Sequence, residues 1–141
     1  MNAATRRFAL AGPAGAIEVA VDEPAGPVRG VALVLHPLPT HGGTMDNKVV
    51  QTLARASVAL GLRAVRFNFR GVGASEGAFD SGAGETDDAE AVAEAVRERD
   101  LPFALAGFSF GAFVATRLAE RLVQAGRPAD QLALMGLAAS R

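Results

Sequence analysis

The five residues Gly107-Phe108-Ser109-Phe110-Gly111 are the part of this sequence best arranged for covalent chemistry. A serine hydroxyl is a weak nucleophile unless it is exposed, oriented and relieved of its proton. The apolar run Phe103 to Ala106 ahead of it reads as a strand, and Val114, Ala115, Leu118 and Leu122 behind it recur at helical spacing. A strand-turn-helix context places Ser109 on a sharp bend. The glycines two residues to either side, Gly107 and Gly111, let strand and helix approach without Cβ clashes. The helix start offers unbonded N–H groups and partial positive charge. Both suit the oxyanion formed when Oγ attacks a carbonyl carbon, and the Phe110 N–H is one donor. A Gly/Ser-rich turn without chemistry can carry the same five letters, so the flanking elements are what favour the nucleophile.

Other groupings are weaker. Gly71, Gly73 and Gly77 follow a strand, but their G-x-G-x-x-x-G spacing is one residue longer than a dinucleotide fingerprint, and the next helix begins only near Gly84. Lys48 is the sole lysine and has no phosphate loop around it. His36 and His41, with Asp46 nearby, lie on a Pro/Gly loop without a defined third ligand and read as hydrogen-bonding residues, so no metal and no cofactor is expected. The absence of cysteine excludes thiol nucleophiles and disulfides. Fourteen basic residues against fifteen acidic, scattered along the chain, give a net charge of −1 and speak against a nucleic acid partner. The start Thr5-Arg6-Arg7-Phe8-Ala9-Leu10 has a twin-arginine look, yet Pro13 and Glu18 interrupt any apolar signal core. No run approaches the roughly 20 apolar residues of a membrane span. No membrane association and a cytoplasmic location are therefore expected.

The positioning elements follow from periodicity. Arg7 to Leu10 and Ala16 to Val21 flank Gly12-Pro13-Ala14-Gly15 and read as an opening hairpin, 7–21. Val31 to Leu35 is a continuous apolar run of the kind buried on both faces of a sheet. Thr44 is expected to cap a helix carrying Val49, Val50, Leu53, Ala54 and Ser57, ended by Gly61, after which a strand returns at Ala64 to Phe69. In the next helix Glu85, Asp87, Asp88 and Glu90 crowd the start and Arg97 and Arg99 the end, matching the macrodipole, with Ala89, Val92, Ala93 and Val96 inward. Gly126 and Pro128 close the helix after Ser109, and Leu132 to Leu137 is a last buried strand. Four such strands alternating with three helices require an α/β fold, three-layer α/β/α with a mostly parallel sheet. The whole chain, 1–141, reads as one domain, with β/α units over 31–137.

Together these features resemble the α/β-hydrolases, most closely the short bacterial members without a lid domain, over nearly all 141 residues. Besides the turn at Ser109, the resemblance rests on His36-Pro37-Leu38-Pro39 leaving the third strand. It rests also on Asn68-Phe69-Arg70-Gly71-Val72-Gly73-Ala74-Ser75-Glu76-Gly77 after the fourth. It implies sheet order 1-2-4-3-5-6 and a second oxyanion N–H from Leu38. Asn68 stands where many relatives have aspartate, in a loop that is usually structural. By the same resemblance the chain corresponds to the N-terminal two-thirds of the fold. Acid and histidine would follow the seventh and eighth strands, in the chain order Ser, Asp/Glu, His. After Ser109 the sequence has no histidine, and its only carboxylates there are Glu120 and Asp130.

The domain is thus expected to be C-terminally incomplete. The function implied is a carboxylesterase-like serine hydrolase cleaving a small ester or related acyl substrate through an acyl-enzyme on Ser109. The alternative is a catalytically silent fragment or scaffold. His36 neighbours the Ser109 strand and could in principle stand in for the absent base, but its place before the oxyanion loop suits a supporting, loop-fixing role better. Leu132 to Leu137 would form an unpaired edge inviting self-association. Substrate identity is set by loops beyond these residues.

Overall fold

The chain enters its sheet through a hairpin and then adds strands by β/α crossovers. In the computed structural model, which describes residues 4–136, β1 (Arg6–Gly12) and β2 (Gly15–Asp22) pair antiparallel, with Gly12 opposite Gly15 across the Pro13-Ala14 turn. β3 (Gly30–Leu35), α1 (Lys48–Ala59), β4 (Leu62–Phe67), α2 (Ala83–Val96), β5 (Phe103–Phe108), α3 (Phe110–Gln124) and β6 (Gln131–Met135) follow. Among the described residues the strands form one sheet in the order β1-β2-β4-β3-β5-β6, as the resemblance implied. β4, β3, β5 and β6 run parallel; only the hairpin is antiparallel to its neighbours.

Strand alternation divides the interior. Val31, Leu33, Leu35, Val65, Phe67, Phe103 and Leu105 join Ala89, Val92 and Ala93 of α2 and Val114, Ala115, Leu118 and Leu122 of α3 in the larger core. The opposite face sends Val34 and Ala106 against Val50 of α1, a smaller cluster. Helices on both faces make the three layers; all four residues the helical spacing pointed inward on α3 and three of four on α2 are buried, whereas on α1 only Val50 and Ala54 are, with Val49, Leu53 and Ser57 half-buried. No helix among the described residues is long and apolar enough to cross a membrane.

The differences from expectation lie at element ends. The hairpin strands extend one residue beyond 7–21 at each end. β4 starts and stops two residues before the predicted Ala64 to Phe69, β5 continues to Phe108, and Leu137 lies outside the described residues. α1 is capped by Asn47, whose side chain accepts from the Val49 and Val50 N–H groups, rather than by Thr44. The Thr44 hydroxyl accepts instead from Asp46 N–H, closing a turn one step earlier. The basic end of α2 is also reassigned. The helix stops at Val96, and Arg97 donates to the carbonyls of Arg127 and Pro128 in the turn after α3. On the acidic side, Asp87 and Glu90 pair with Arg121 of α3, and Asp88 with Arg70.

β6 closes the described sheet with its outer side unpaired, and Leu132, Leu134 and Met135 are exposed on it. An uncharged apolar edge is a template for another strand. The 141-residue chain is therefore expected to run larger than a monomer by light scattering at micromolar concentration, and Leu132→Lys with Leu134→Lys to shift it toward monomer. A monodisperse monomer would show that the edge is inert.

Candidate active site

Ser109 occupies the single residue between β5 and α3, with φ 58° and ψ −117°, a backbone region that costs a non-glycine residue on the order of 1–3 kcal/mol. Neighbouring bonds hold it there. Its N–H donates to Met135 O at 2.8 Å, extending the β5–β6 ladder, while its C=O accepts from Ala112 N–H at 2.9 Å and Phe113 N–H at 3.3 Å, opening the helix. Both flanking glycines are sterically required. A Cβ on Gly107 would overlap the Gly111 carbonyl and stand 2.7 Å from Ala112 Cα; one on Gly111 would overlap the Leu35 carbonyl and stand 2.6 Å from that of His36. Ser109 is half-buried, and among the described residues its Oγ has no hydrogen-bond partner.

Both backbone N–H groups singled out in the sequence are uncommitted among the described residues. Phe110 is the first residue of α3, so its N–H has no intrahelical acceptor, and no other acceptor among the described residues takes it. Leu35 at the end of β3 pairs with Gly107, so the loop that starts at His36 leaves the sheet next to Ser109. Leu38 N–H is likewise unbonded among the described residues. Its C=O accepts from His41 N–H at 3.1 Å and Gly43 N–H at 3.0 Å.

His36 is fully buried beneath that loop. Its Nε2 accepts the Phe69 N–H at 3.1 Å, its Nδ1 lies 2.7 Å from Pro37 O, and its ring packs 4.6 Å from that of Phe69. A peptide N–H can only donate and a carbonyl can only accept, so the proton sits on Nδ1. Burial pushes the imidazole pKa down to about 4, against a smaller upward pull from the Pro37 carbonyl. With both nitrogens engaged, the ring offers neither to Ser109. His41 Nδ1 lies 3.5 Å from Thr40 Oγ1, Asp46 pairs with Arg7 and Arg66, and no three metal-capable side chains converge among the described residues. Neither carboxylate after Ser109 is at the site. Glu120 is exposed on α3, and Asp130 accepts the Phe103 N–H at the other end of β5.

The loop after β4 is consumed by internal bonds. Gly71, Gly73 and Gly77 all have positive φ. Ser75 Oγ donates to Asn68 O at 2.6 Å and accepts Glu18 N–H, and Arg70 grips Asp88 with two 2.8 Å bonds. Asn68 accepts the Met45 N–H at 2.9 Å and donates to Glu18 Oε1 at 2.8 Å. The residue that sequence reasoning missed is Arg66. Fully buried, it donates to Met45 O at 2.9 Å and to Asp46 and Asp22, with Nε unpartnered. Arg66 and Asn68 thus hold both ends of the Met45 residue, anchoring the segment that follows Leu38. The signal available was an arginine flanked by Val65 and Phe67 in an otherwise apolar stretch.

Comparison with known proteins agrees with this architecture. A family model described as a thioesterase domain matches residues 86–141. The crystal structure of an α/β serine hydrolase without lid from Xanthomonas campestris is 43% identical with a TM-score of 0.84, covering 95% of this chain and 71% of that one. An α/β serine hydrolase homologue from Coxiella burnetii is 47% identical with a TM-score of 0.77, covering 81% of this chain and 56% of its own. An uncharacterized protein of Rickettsia prowazekii is 43% identical over 114 residues, 78% of this chain, which spans about half (48%) of that relative.

Two stability predictions follow from these bonds. A buried histidine neutral down to about pH 4 but titrating near 6.5 when unfolded stabilises the fold fully above pH 6.5 and progressively less as pH falls toward 4. Denaturant unfolding at both pH values should show that wild type loses about 3 kcal/mol more than His36→Asn over this range; equal losses would place the titration elsewhere. Asn68→Asp should cost about 1–3 kcal/mol by setting a carboxylate against Glu18. Adding Glu18→Gln should recover most of it in thermal melts, and additive losses would refute the coupling.

Proposed function

Since the chain belongs to the α/β serine hydrolase family, we propose that the native protein carrying it is a carboxylesterase-like hydrolase, with Ser109 as nucleophile toward a small ester or related acyl compound. The observation that carries this reading is the strained Ser109 backbone at a helix start, with Oγ unbonded among the described residues. Strain maintained against its cost at an unbonded nucleophile is what an exposed attacking group requires.

In the proposed reaction Oγ adds to the carbonyl carbon as a base removes its proton. The oxyanion then collapses while the base returns that proton to the leaving oxygen, expelling the alcohol and leaving an acyl group on Ser109, which water removes by the same two steps. Phe110 and Leu38 N–H groups receive the oxyanion. They suit the task because neither is committed elsewhere among the described residues and both are fixed before the substrate arrives, so charge develops against dipoles already in place. The base is proposed to lie outside residues 4–136, since no described imidazole or carboxylate is bonded to Ser109. The thioesterase-domain match over residues 86–141 makes acyl thioesters a substrate class to assay beside oxygen esters. A silent scaffold is the competing reading, favoured by that missing partner at Ser109.

Fluorophosphonate labelling of the native protein decides between them: labelling lost in Ser109→Ala supports the hydrolase, and labelling retained in that variant points to another nucleophile. No labelling of wild type supports the scaffold. The 141-residue segment alone is expected to hydrolyse nitrophenyl acetate at no more than the residual roughly 10³–10⁴ over water that a site keeps without its base. Turnover at ordinary esterase rates would mean that a base is already within the segment.

A further inference from the structure

We propose that His36 is a positioning residue for the oxyanion hole: its Nδ1–H holds the Pro37 carbonyl and thereby aims the Leu38 N–H, on the opposite side of the same peptide, at the ground beside Ser109. The proposal rests on the reading of Ser109 as nucleophile and of Leu38 as a donor.

The geometry is that of one peptide plane. In a trans peptide the C=O and the following N–H point in opposite directions, and no cis bond occurs among the described residues. Fixing Pro37 O therefore fixes the direction of Leu38 N–H without touching it. His36 takes that oxygen at 2.7 Å, and the ring cannot turn away, because Nε2 is held by the Phe69 N–H and its face lies on Phe69. Gly43 backs the same peptide from outside: a Cβ there would overlap Pro37 O and stand 2.5 Å from Pro37 C and 2.7 Å from Leu38 O. One residue on, Leu38 O is held by the N–H groups of His41 and Gly43. Between these two held carbonyls the Leu38 N–H itself takes no acceptor among the described residues. A loop containing Pro37, Pro39, Gly42 and Gly43 has few side-chain anchors of its own, so removal of the His36 bond frees the plane to rotate.

A purely structural role for His36 would run through its packing on Phe69, whose ring also meets Phe67 and Phe110. The two roles separate by substitution. An asparagine amide reaches the place of Nδ1 and can still donate to Pro37 O. A glutamine amide reaches the place of Nε2, keeping an acceptor for Phe69 N–H while surrendering Pro37.

In the native protein, with nitrophenyl acetate as substrate, His36→Gln is expected to lose about 10- to 100-fold in kcat, less than removal of a whole oxyanion donor. KM should change little, and His36→Asn should recover most of the loss. Inhibition by a trifluoromethyl ketone, which forms the oxyanion adduct, should weaken in His36→Gln by the factor lost in kcat/KM. Folded His36→Gln with wild-type kcat, or His36→Asn no better than His36→Gln, overturns the proposal. Ser109→Ala is run in parallel: its inactivity keeps the nucleophile reading standing whatever His36 does, while its continued turnover defeats that reading instead. Should the His36 variants fail to fold, nitrogen-15 NMR of wild type decides. A single Nδ1–H tautomer with a slowly exchanging proton supports the lock, and an Nε2–H tautomer or a rotating ring overturns it.

Discussion

A serine whose backbone sits at φ 58° and ψ −117° has to be held against its own preference, and the arrangement of β3, β5, β6 and α3 can be understood as what holds it. The N–H is tied into the sheet through Met135 O and the C=O into the helix through Ala112 and Phe113, so the chain cannot relax at Ser109 without breaking either a ladder or a helix start. Those two ties work only if α3 begins hard against the strand ends. That in turn demands the bare Cα atoms of Gly107 and Gly111, the second pressed on the Leu35 and His36 carbonyls. Burial of Val114, Ala115, Leu118 and Leu122 supplies the force that keeps the helix seated.

A second, independent set of constraints comes from β4. Arg66 and Asn68 take the C=O and N–H of Met45, and Glu18 of the hairpin takes Asn68 and Ala74, so the loops after β3 and β4 are fixed to the sheet and to each other. A buried arginine is expensive to desolvate, and its Nε has no partner. Its three other contacts, to Met45 O, Asp46 and Asp22, offset that cost only because Asp22 is buried alongside it. The hairpin is therefore more than an edge: it delivers Glu18 and Asp22 to positions that no β/α unit reaches.

What could be read from the sequence divides along these lines. Apolar spacing located the six strands and three α-helices, because period is written in adjacent residues, whereas the sheet order came from the family resemblance carried by the three loop motifs. The ends were less legible. Thr44 and Asn47 are both good caps, and which one serves depends on where Arg66 and Asn68 place Met45 between them. The acidic start of α2 reads locally as dipole compensation, yet Asp88 answers Arg70 and Asp87 answers Arg121, partners distant in the chain. Both nitrogens of His36 were equally hidden, since one partner is its own neighbour and the other, Phe69, belongs to a different crossover.

The strand order gives the reason these loops meet at all. With β4-β3-β5 adjacent and parallel, the segments beginning at His36, Asn68 and Ser109 all leave the same end of the sheet, and β3 is the middle one. Its loop is consequently gripped from both sides. Phe69 N–H from the β4 side holds the His36 ring, and Gly111 from the β5 side rests on the Leu35 and His36 carbonyls. A middle loop gripped in this way can keep one N–H unspent without losing its shape, because the carbonyls on either side of it are held by others, Pro37 O by the His36 ring and Leu38 O by the His41 and Gly43 N–H groups. The oxyanion role proposed for Leu38 thus rests on where the bonds around it are placed, since the residue would contribute nothing beyond its backbone N–H.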